Sequence, residues 1–296
     1  MTDGKALMVE KEPRQKIRRR RRKWRPVFLT VVAILLFFIA KSAFNVVRLS
    51  THGPEVHFFD IGQGDAALIK APDGQTVLLD GGPDNSVLRR LGDSLPFYRR
   101  RLDFVIFSHY HDDHITGLVE VLQRYRVGKL IFAPPERESP ILEALWETAA
   151  ERRVEMLPVE NMIRLSFTPD CTLDLLNPNS LGITADDNNS LYARFVCDKQ
   201  SVLFTGDNSA KAEKALLVSG WPLSAEVLKA SHHGSKTANS EEFLRAVNPN
   251  LLVISVGEDN RFGHPHPLIL ERAVDLGISV KRTDELGSLK IFNRSE

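Results

Sequence analysis

Three histidines and two aspartates fall within the six residues His109 to His114, directly after the largely apolar run Leu102 to Phe107. A short run rich in β-branched and aromatic residues predicts a buried strand, so we expect the polar cluster in the loop that follows it. Imidazole and carboxylate are the ligands that borderline divalent cations prefer, and no cysteine lies nearby to indicate a zinc finger. The cluster therefore predicts a metal site rather than a polar surface loop. The expected ligands are His109 and His111 for one ion, and Asp113 and His114 for a second.

The net charge of +1 hides a strong asymmetry along the chain. Residues 1–25 contain eleven Lys or Arg and three Asp or Glu, a net charge of +8. Subtracting these from the 39 basic and 38 acidic residues of the whole chain leaves 28 and 35, a net charge of −7. With 296 residues, of which 43% are hydrophobic, the chain can bury the core of one large α/β domain or of two small ones.

An apolar segment follows the basic tail. It runs from Val27 to Ala40 with Thr30 as its polar interruption, and if it continues to Val47 it contains 21 residues. As a helix of about 31 Å it would cross a bilayer, and the basic residues before it favour a cytoplasmic N-terminus. The prediction is a single-pass cell-membrane protein with a basic cytoplasmic tail (1–25), a transmembrane signal anchor (26–47), a linker (48–54) and an extracytoplasmic domain (55–296). The alternatives are a signal peptide cleaved after Ser42 and a nucleic-acid-binding arm.

The order of the predicted elements indicates the fold of the domain. Three short strands open it between Glu55 and Asp80, and the strand Leu102 to Phe107 is followed by a helix expected to begin near Ile115. Further strands and helices alternate up to a last strand at Ser288 to Phe292. Strand meanders with helices between them, in two comparable halves, predict an α/β fold with four layers, an αββα sandwich.

Short motifs rich in Gly, Asp and His recur at the predicted strand ends. In order, they are Phe59–Asp65, Leu79–Gly82, His109–His114, Asn188–Ser190, Thr205–Asp207, Lys229–Ser235 and Gly263–Pro265. In content and order they resemble the metallo-β-lactamase superfamily and, within it, the extracytoplasmic domain of ComEC-type DNA-internalisation competence proteins, over about residues 54–296. The resemblance implies a metal-dependent hydrolase in the four-layer sandwich. It does not carry over the membrane channel of those proteins, because this chain has one predicted span.

The resemblance also implies a binuclear ligand set for two divalent ions, Zn²⁺ or Mn²⁺. The first ion would have His109, His111 and Asp207, and the second would have Asp113, His114, Asp207 and His233. Asp207 would bridge the two, whereas without the histidines it is also explained as a helix cap. The family pattern favours His233 over His232 as the ligand, and His232 would then support the site or contact substrate. A pair of structural histidines is the alternative.

The sequence departs from the lactamases in one place. They have a third histidine between the first cluster and the bridging aspartate, but residues 115–206 contain no histidine. Asn189 takes the comparable place, and competence-type proteins resemble this chain in having Asn-Ser there. An amide oxygen is a weaker ligand than imidazole, so we expect the first site to be more open and more tolerant of Mn²⁺. The alternative for Asn188 and Asn189 is a loop turn.

Other residues are assigned supporting roles around the metals. Asp60, Asp65 and Asp80 end strands, where they are expected to accept the second ring N–H of ligand histidines. Lys229, Lys236 and Arg261 are predicted to place positive charge on the rim, and His264 and His266 to donate a proton or bind substrate oxygen. His52 and His57 are expected to be bystanders. The predicted catalytic residues are Asp113, His232 and His264, and the predicted substrate-binding residues are Asn189, Lys229 and Ser235.

Three functions compete. The first is a membrane-anchored extracytoplasmic phosphodiesterase, in which metal-bound hydroxide attacks a phosphodiester, possibly DNA, and no protein nucleophile is needed. The second is a hydrolase of a small or cell-envelope ester, such as a phosphorylcholine ester, a lactone or a β-lactam, and the charge of −7 favours it mildly. The third is a non-catalytic anchored binding module, for which lost ligands are expected. The sequence leaves the substrate, the metal, protein partners and the oligomeric state open.

Two cysteines give a separate prediction. Cys171 opens one predicted strand and Cys197 closes the next, so an antiparallel pair in which partner numbers sum to 368 places them opposite each other. Outside the cytoplasm they are then expected to form a cross-strand disulfide. Two inert buried thiols are the alternative.

Overall fold

The structure is a computed structural model that describes residues 28–39, 53–135, 137–182 and 189–292. Its contacts divide the chain into two units, of which the second is His52–Glu296. In the first unit, residues 28–39 form helix α1. No helix in these described ranges combines the length and apolar character needed to cross a membrane. The rest of the predicted anchor (26, 27 and 40–47), the predicted tail (1–25) and most of the linker lie outside the described residues.

The second unit alternates strands and helices much as predicted. Its strands are β1 Glu55–Phe58, β2 Ala67–Lys70, β3 Thr76–Leu79, β4 Arg101–Phe107, β5 Arg126–Phe132, β6 Glu155–Pro158, β7 Met162–Thr168, β8 Cys171–Leu176, β9 Tyr192–Cys197, β10 Gln200–Phe204, β11 Val227–Lys229, β12 Leu251–Ile254, β13 Ser279–Arg282 and β14 Leu289–Ile291. Its helices are α2 Ser86–Ser94, α3 Asp112–Arg124, α4 Pro140–Glu151, α5 Ala210–Ser219, α6 Glu241–Val247, α7 Pro267–Asp275 and α8 Thr283–Leu286. Two short 3₁₀ turns, which were not predicted, are Pro178–Leu181 and Ser231–Gly234.

The strands form two seven-stranded sheets. The first has the order β14-β1-β2-β3-β4-β5-β6 and is parallel from β3 to β6. The second has the order β13-β12-β11-β10-β9-β8-β7 and is parallel from β10 to β13. Each sheet therefore joins an antiparallel half to a parallel half, which is the repetition that the sequence pattern indicated.

Three apolar clusters form the core. The first contains inward-facing residues of both sheets, such as Ile69 and Phe195. The second packs the outer face of the first sheet against α2, α3 and α4, and the third packs the second sheet against α5, α6 and α7. The predicted αββα sandwich is confirmed, because each sheet buries one face against the other sheet and one against helices.

Helix α3 starts earlier than predicted. It begins at Asp112 rather than near Ile115, with His111 as its N-cap and two aspartates in its first turn. Carboxylates are stabilised there by the partial positive charge of the helix end. As a result, Asp113 and His114 project from a helix turn and not from a loop.

Close packing fixes this helix against the loop after β3. A Cβ atom on Gly117 would lie 2.1 Å from the carbonyl oxygen of Gly81, so only glycine allows the approach. The backbone N–H of Gly81 in turn donates to the carbonyl of His114 at 2.6 Å. The contact places the end of β3 directly beside the first turn of α3.

The predicted disulfide is confirmed. Cys171 and Cys197 are bonded, and they are register partners in the antiparallel pair of β8 and β9. Their side chains are buried in the core between the sheets.

Candidate metal centre

The predicted ligands meet where the parallel strands of both sheets end. His109 follows β4, and Asp113 and His114 follow in α3, all from the first sheet. Asp207 follows β10 and His233 follows β11, both from the second sheet. Ligands in α/β folds bind just beyond the carboxyl ends of parallel strands. Here the two sheets bring those ends together.

The ligands form two groups that share one carboxylate. The ligand atoms within each group all lie within 4.8 Å of one another. One group contains His109, His111 and Asp207, and the other contains Asp113, His114, Asp207 and His233. These are the two sets that the resemblance implied, and His233 rather than His232 is the histidine in the second.

Buried atoms without partners show that these residues fit metal ions. The Nε2 atoms of His109, His114 and His233 and Oδ1 of Asp207 are buried and have no hydrogen-bond partner among the described residues. Buried polar atoms are normally satisfied, so a converging set of unsatisfied ligand atoms needs a cation. Imidazole nitrogen with carboxylate oxygen suits Zn²⁺ or Mn²⁺.

The other ring nitrogens are held in place. Nδ1 of His114 lies 3.0 Å from Oδ2 of Asp80, as predicted for that carboxylate, and Nδ1 of His233 lies 2.9 Å from the carbonyl oxygen of Ser255. Both partners accept, so each Nδ1 carries a hydrogen and Nε2 is the nitrogen left to bind a metal ion. These hydrogen bonds fix the orientation of both rings.

Two serines that were missed by the sequence interpretation support His109. Its Nδ1 lies 3.1 Å from Oγ of Ser108 and 3.2 Å from Oγ of Ser190. Ser190 Oγ also accepts the backbone N–H of Asp207 at 2.8 Å. The side chain of buried Asn208 holds the backbone of Ser190 in place, because its amide oxygen accepts the Ser190 N–H and its amide nitrogen donates to the Ser190 carbonyl. One hydroxyl thus links the ring of His109 to the backbone of Asp207, the residue that the two ligand groups share.

Replacing Ser190 with alanine is expected to lower turnover or metal affinity by about 10- to 100-fold, because the partners behind metal ligands contribute to that extent. Metal titration of the full chain and a turnover assay check it. Ser219→Ala is the matched control, since that hydroxyl caps the end of α5 by donating to Leu216. Equal losses in the two variants would contradict the role of Ser190.

The glycine before Asp207 is required by space and by backbone conformation. Gly206 has φ +49°, and a Cβ atom there would lie 2.3 Å from Cβ of Ser190. His232 and His233 also adopt left-handed conformations, with φ values of 49° and 52°. Such strain in non-glycine residues persists where the surroundings hold it and is typical of functional sites.

Charges in the site are strongly coupled. Burial disfavours the charged form of His114, but Asp207 and Asp80 outweigh it and raise its pKa well above the usual value. Burial also opposes charge on Asp207, yet His233 and His114 hold the pKa of this carboxyl well below its usual range. Burial, followed by His114, lowers the pKa of His109 well below that of a free imidazole. The carboxylate of Asp207 is thus ionised and can bind cations.

Lys229 does not lie on the rim, which corrects the predicted substrate-binding role. It is 3% exposed, and its ammonium group pairs with Asp65 beneath the site. Asp65 in turn lies 3.6 Å from Nδ1 of His233. The reason is that β11 is buried along its whole length, so its last side chain points into the protein.

Two further positions differ from expectation. Ser235 is buried and its hydroxyl contacts that of Thr237, so it does not face a substrate. Asp60 pairs with Arg90 at 2.7 Å instead of supporting a ligand histidine. His57 pairs with Glu55 at 3.1 Å and has no part in the ligand groups. His266, for which a proton-donating or substrate-binding role was predicted, instead caps the N-terminus of α7. His52 and Asn188 lie outside the described residues.

The open side of the site carries the remaining predicted residues. Nε2 of His232 lies 3.8 Å from Oδ2 of Asp207, and the ring of His264 lies 5.5 Å from that of His232. Asn189 is half-buried and its amide donates to Asn179 at 2.6 Å. Burial, and then His232 and His233, lower the pKa of His264 to about 4. At neutral pH His264 is therefore uncharged and offers a hydrogen bond rather than an acidic proton.

An exposed aromatic side chain next to His264 was missed. The ring of Phe262 is 55% exposed and stacks on that of His264 at 5.9 Å, and the guanidinium of Arg261 lies 5.2 Å from the Phe262 ring. Asn260 fixes the loop by accepting the N–H groups of Phe262 and His264. The rim thus presents a rigid apolar surface with a cation beside it.

Residues 59–169 match the Metallo-beta-lactamase superfamily. ComE operon protein 3 of Bacillus subtilis is 30% identical over 82% of this chain and 33% of its own length. Recombination protein 2 of Haemophilus influenzae is 28% identical over 82% of this chain and 29% of its own. Competence protein ComA of Neisseria gonorrhoeae is 30% identical over 79% of this chain and 32% of its own length. The chain thus spans about a third of the length of these relatives.

Among solved structures, the metallo-β-lactamase fold protein YhfI of Bacillus subtilis is similar with a TM-score of 0.57 and 15% identity, over 80% of this chain and 98% of that one. At this identity the likeness concerns the fold alone. It agrees with the two-sheet sandwich described above.

Proposed function

Because the chain carries a metallo-β-lactamase domain and resembles the ComEC-type competence proteins, we propose that it is a binuclear metal-dependent phosphodiesterase, with nucleic acid as its main substrate. The observation that carries the proposal is the pair of ligand groups that share Asp207, with unsatisfied Nε2 atoms aimed at the same space. Two divalent ions held there would make water more acidic and would neutralise charge on the phosphate. A non-catalytic binding module does not need this ligand set, so its presence favours a hydrolase.

The side chains around the metals have separate tasks. Asp207 and Asp113 would hold the ions, and the carboxylate of Asp113 lies 3.4 Å from Nε2 of His233. Burial opposes charge on Asp113, but His233 and His114 keep its pKa low, so it accepts hydrogen bonds at neutral pH. His232 and His264 lie on the open side and donate hydrogen bonds to phosphate oxygen. Burial lowers the pKa of His232 too, so both are neutral donors.

The rim supports an aromatic phosphodiester over a small aliphatic ester. The exposed ring of Phe262 suits a flat group such as a nucleobase, and the guanidinium of Arg261 beside it suits a phosphate. The net charge of −7 over residues 26–296 opposes unspecific binding of DNA, but two divalent ions at the site would offset about four negative charges. A nucleotide bound between Phe262 and the metal ions would place its base on the aromatic ring and its phosphate beside the positive charge of the ions.

We also propose that the domain is held outside the cytoplasm by an N-terminal anchor at residues 26–47. The basic tail favours this topology, and the Cys171–Cys197 disulfide agrees with an oxidising compartment. Fusion of alkaline phosphatase after residue 296 tests it, because that reporter is active only outside the cytoplasm. An inactive but stable fusion would overturn the topology.

A substrate panel tests the activity. The full chain, loaded with Mn²⁺ or Zn²⁺, is expected to hydrolyse single-stranded DNA and bis(p-nitrophenyl) phosphate, and to leave p-nitrophenyl phosphorylcholine and nitrocefin largely intact. Hydrolysis of nitrocefin alone would remove the phosphodiesterase, and cleavage of the phosphorylcholine ester alone would favour the small-ester hydrolase. No turnover of any substrate by metal-loaded protein would favour the binding module.

A further inference from the structure

A groove of about 630 Å³ lies far from the metal centre and is lined by arginine side chains. The arginines are Arg101, Arg126, Arg152 and Arg153. Arg101 and Arg126 are the first residues of β4 and β5, whereas the metal ligands follow the last residues of strands. Along β4 the two ends are about 20 Å apart. The groove is therefore a separate place on the first sheet and not an extension of the metal site.

The charges in this groove are poorly compensated. Glu151 is the one acidic residue among its lining side chains, and Arg101 pairs with Asp103 at 3.0 Å. Within the described ranges, no ion pair involves Arg126, Arg152 or Arg153. The groove thus holds excess positive charge in a domain whose overall charge is negative.

The arrangement is unfavourable for the fold itself. Arg101 and Arg126 are register partners on neighbouring strands, where like charges repel. Arg153 has φ +54°, at a position after a helix where glycine is favoured. Arg152 and Arg153 gain a little from the negative end of α4, but that leaves the strand pair unexplained. An external anion that neutralises the cluster explains all four.

We propose that this arginine groove binds the phosphate backbone of single-stranded nucleic acid. Guanidinium groups bind phosphate with two parallel hydrogen bonds, and a row of them matches a row of phosphates. The groove is concave, which suits a polymer strand, whereas a flat bilayer contacts side chains that protrude. The strand is held on this groove independently of the metal centre.

Fluorescence anisotropy with a labelled 30-nucleotide DNA strand tests the proposal. The full chain is used in nonionic detergent with a chelator, so that binding is measured without hydrolysis. Arg18 to Arg22 are replaced by glutamine in every sample to keep the basic tail from dominating. The variant Arg126→Gln, Arg152→Gln, Arg153→Gln is expected to bind at least tenfold more weakly in 0.1 M salt. The slope of its log binding constant against log salt concentration is expected to be shallower by about 2, because each lost phosphate contact contributes roughly 0.7.

Controls separate this groove from general charge. The matched variant Lys199→Gln, Lys214→Gln, Lys281→Gln removes the same charge from exposed positions elsewhere and is expected to leave binding within twofold. A methylphosphonate strand, which lacks backbone charge, is expected to bind weakly to every variant.

Three results would overturn the proposal. The arginine variant could bind DNA as well as the unchanged groove, the lysine variant could lose as much DNA binding as the arginine variant, or the arginine variant could lose binding to phosphatidylglycerol vesicles while its DNA binding stays intact. The last would assign the groove to a lipid surface. Because hydrolysis is measured separately on bis(p-nitrophenyl) phosphate, a failure here is distinct from a failure of the proposed activity.

Discussion

Replacing Asp207 with asparagine is expected to lower phosphodiester turnover by at least ~10³-fold, which corresponds to about 4 kcal/mol of transition-state stabilisation. Its Oδ1 lies 3.6 Å from Nε2 of His114 and 3.7 Å from Nε2 of His233, and it also belongs to the group of His109 and His111. Asparagine keeps the shape but removes the charge that both groups share. The bound metal, measured by plasma mass spectrometry after dialysis, is expected to fall from two ions per chain to one or none.

Asp170→Asn is the matched control for this change. Asp170 is exposed in the turn between β7 and β8, so the variant is expected to keep two ions and full turnover. Circular dichroism of both variants shows whether the fold is retained. Two tightly bound ions together with wild-type turnover in Asp207→Asn would remove the shared-carboxylate model of the site.

The candidate metal ligands were predictable because each has a local signal. His109, Asp207 and His233 each follow a short apolar run, and a strand end is where a polar side chain becomes free to bind. The fold then brings the ends of two sheets together. Sequence spacing alone does not show this meeting, since His111 and Asp207 are far apart in the chain. The resemblance supplied that link, and the structure agrees with it.

The residues that hold the ligands were harder to find. Ser108 and Ser190 are small, common residues whose importance lies in one hydroxyl placed 3.1 to 3.2 Å from Nδ1 of His109. Ser190 even stands in a motif that was noted, but only its asparagine neighbours were given chemistry. Its adjacency to that motif was the available signal. Contacts made by a hydroxyl depend on tertiary packing and leave no pattern in the sequence.

Lys229 shows the opposite error. It lies near His232 in the chain, so a place on the rim was expected, but parallel strand β11 is covered on both faces. Phe262 was missed for a related reason, since an exposed aromatic in a loop looks unremarkable until its ring is found against His264. Proximity along the chain thus predicted neither the direction of a side chain nor its exposure.

Removing the disulfide by the double change Cys171→Ala, Cys197→Ala is expected to lower the free energy of unfolding by about 3.5 kcal/mol. The bond closes a segment with a sequence separation of 26, and the loss of that constraint on the unfolded chain gives this magnitude. The cysteines lie at the far end of the β8–β9 hairpin from Tyr192, about 17 Å along β9 from the metal centre. Metal content and turnover should therefore stay close to wild type while stability falls. Urea unfolding followed by tryptophan fluorescence measures the change, with the reduced wild-type chain as the control, and a loss below about 1 kcal/mol in both samples would show that the bond adds little to the fold.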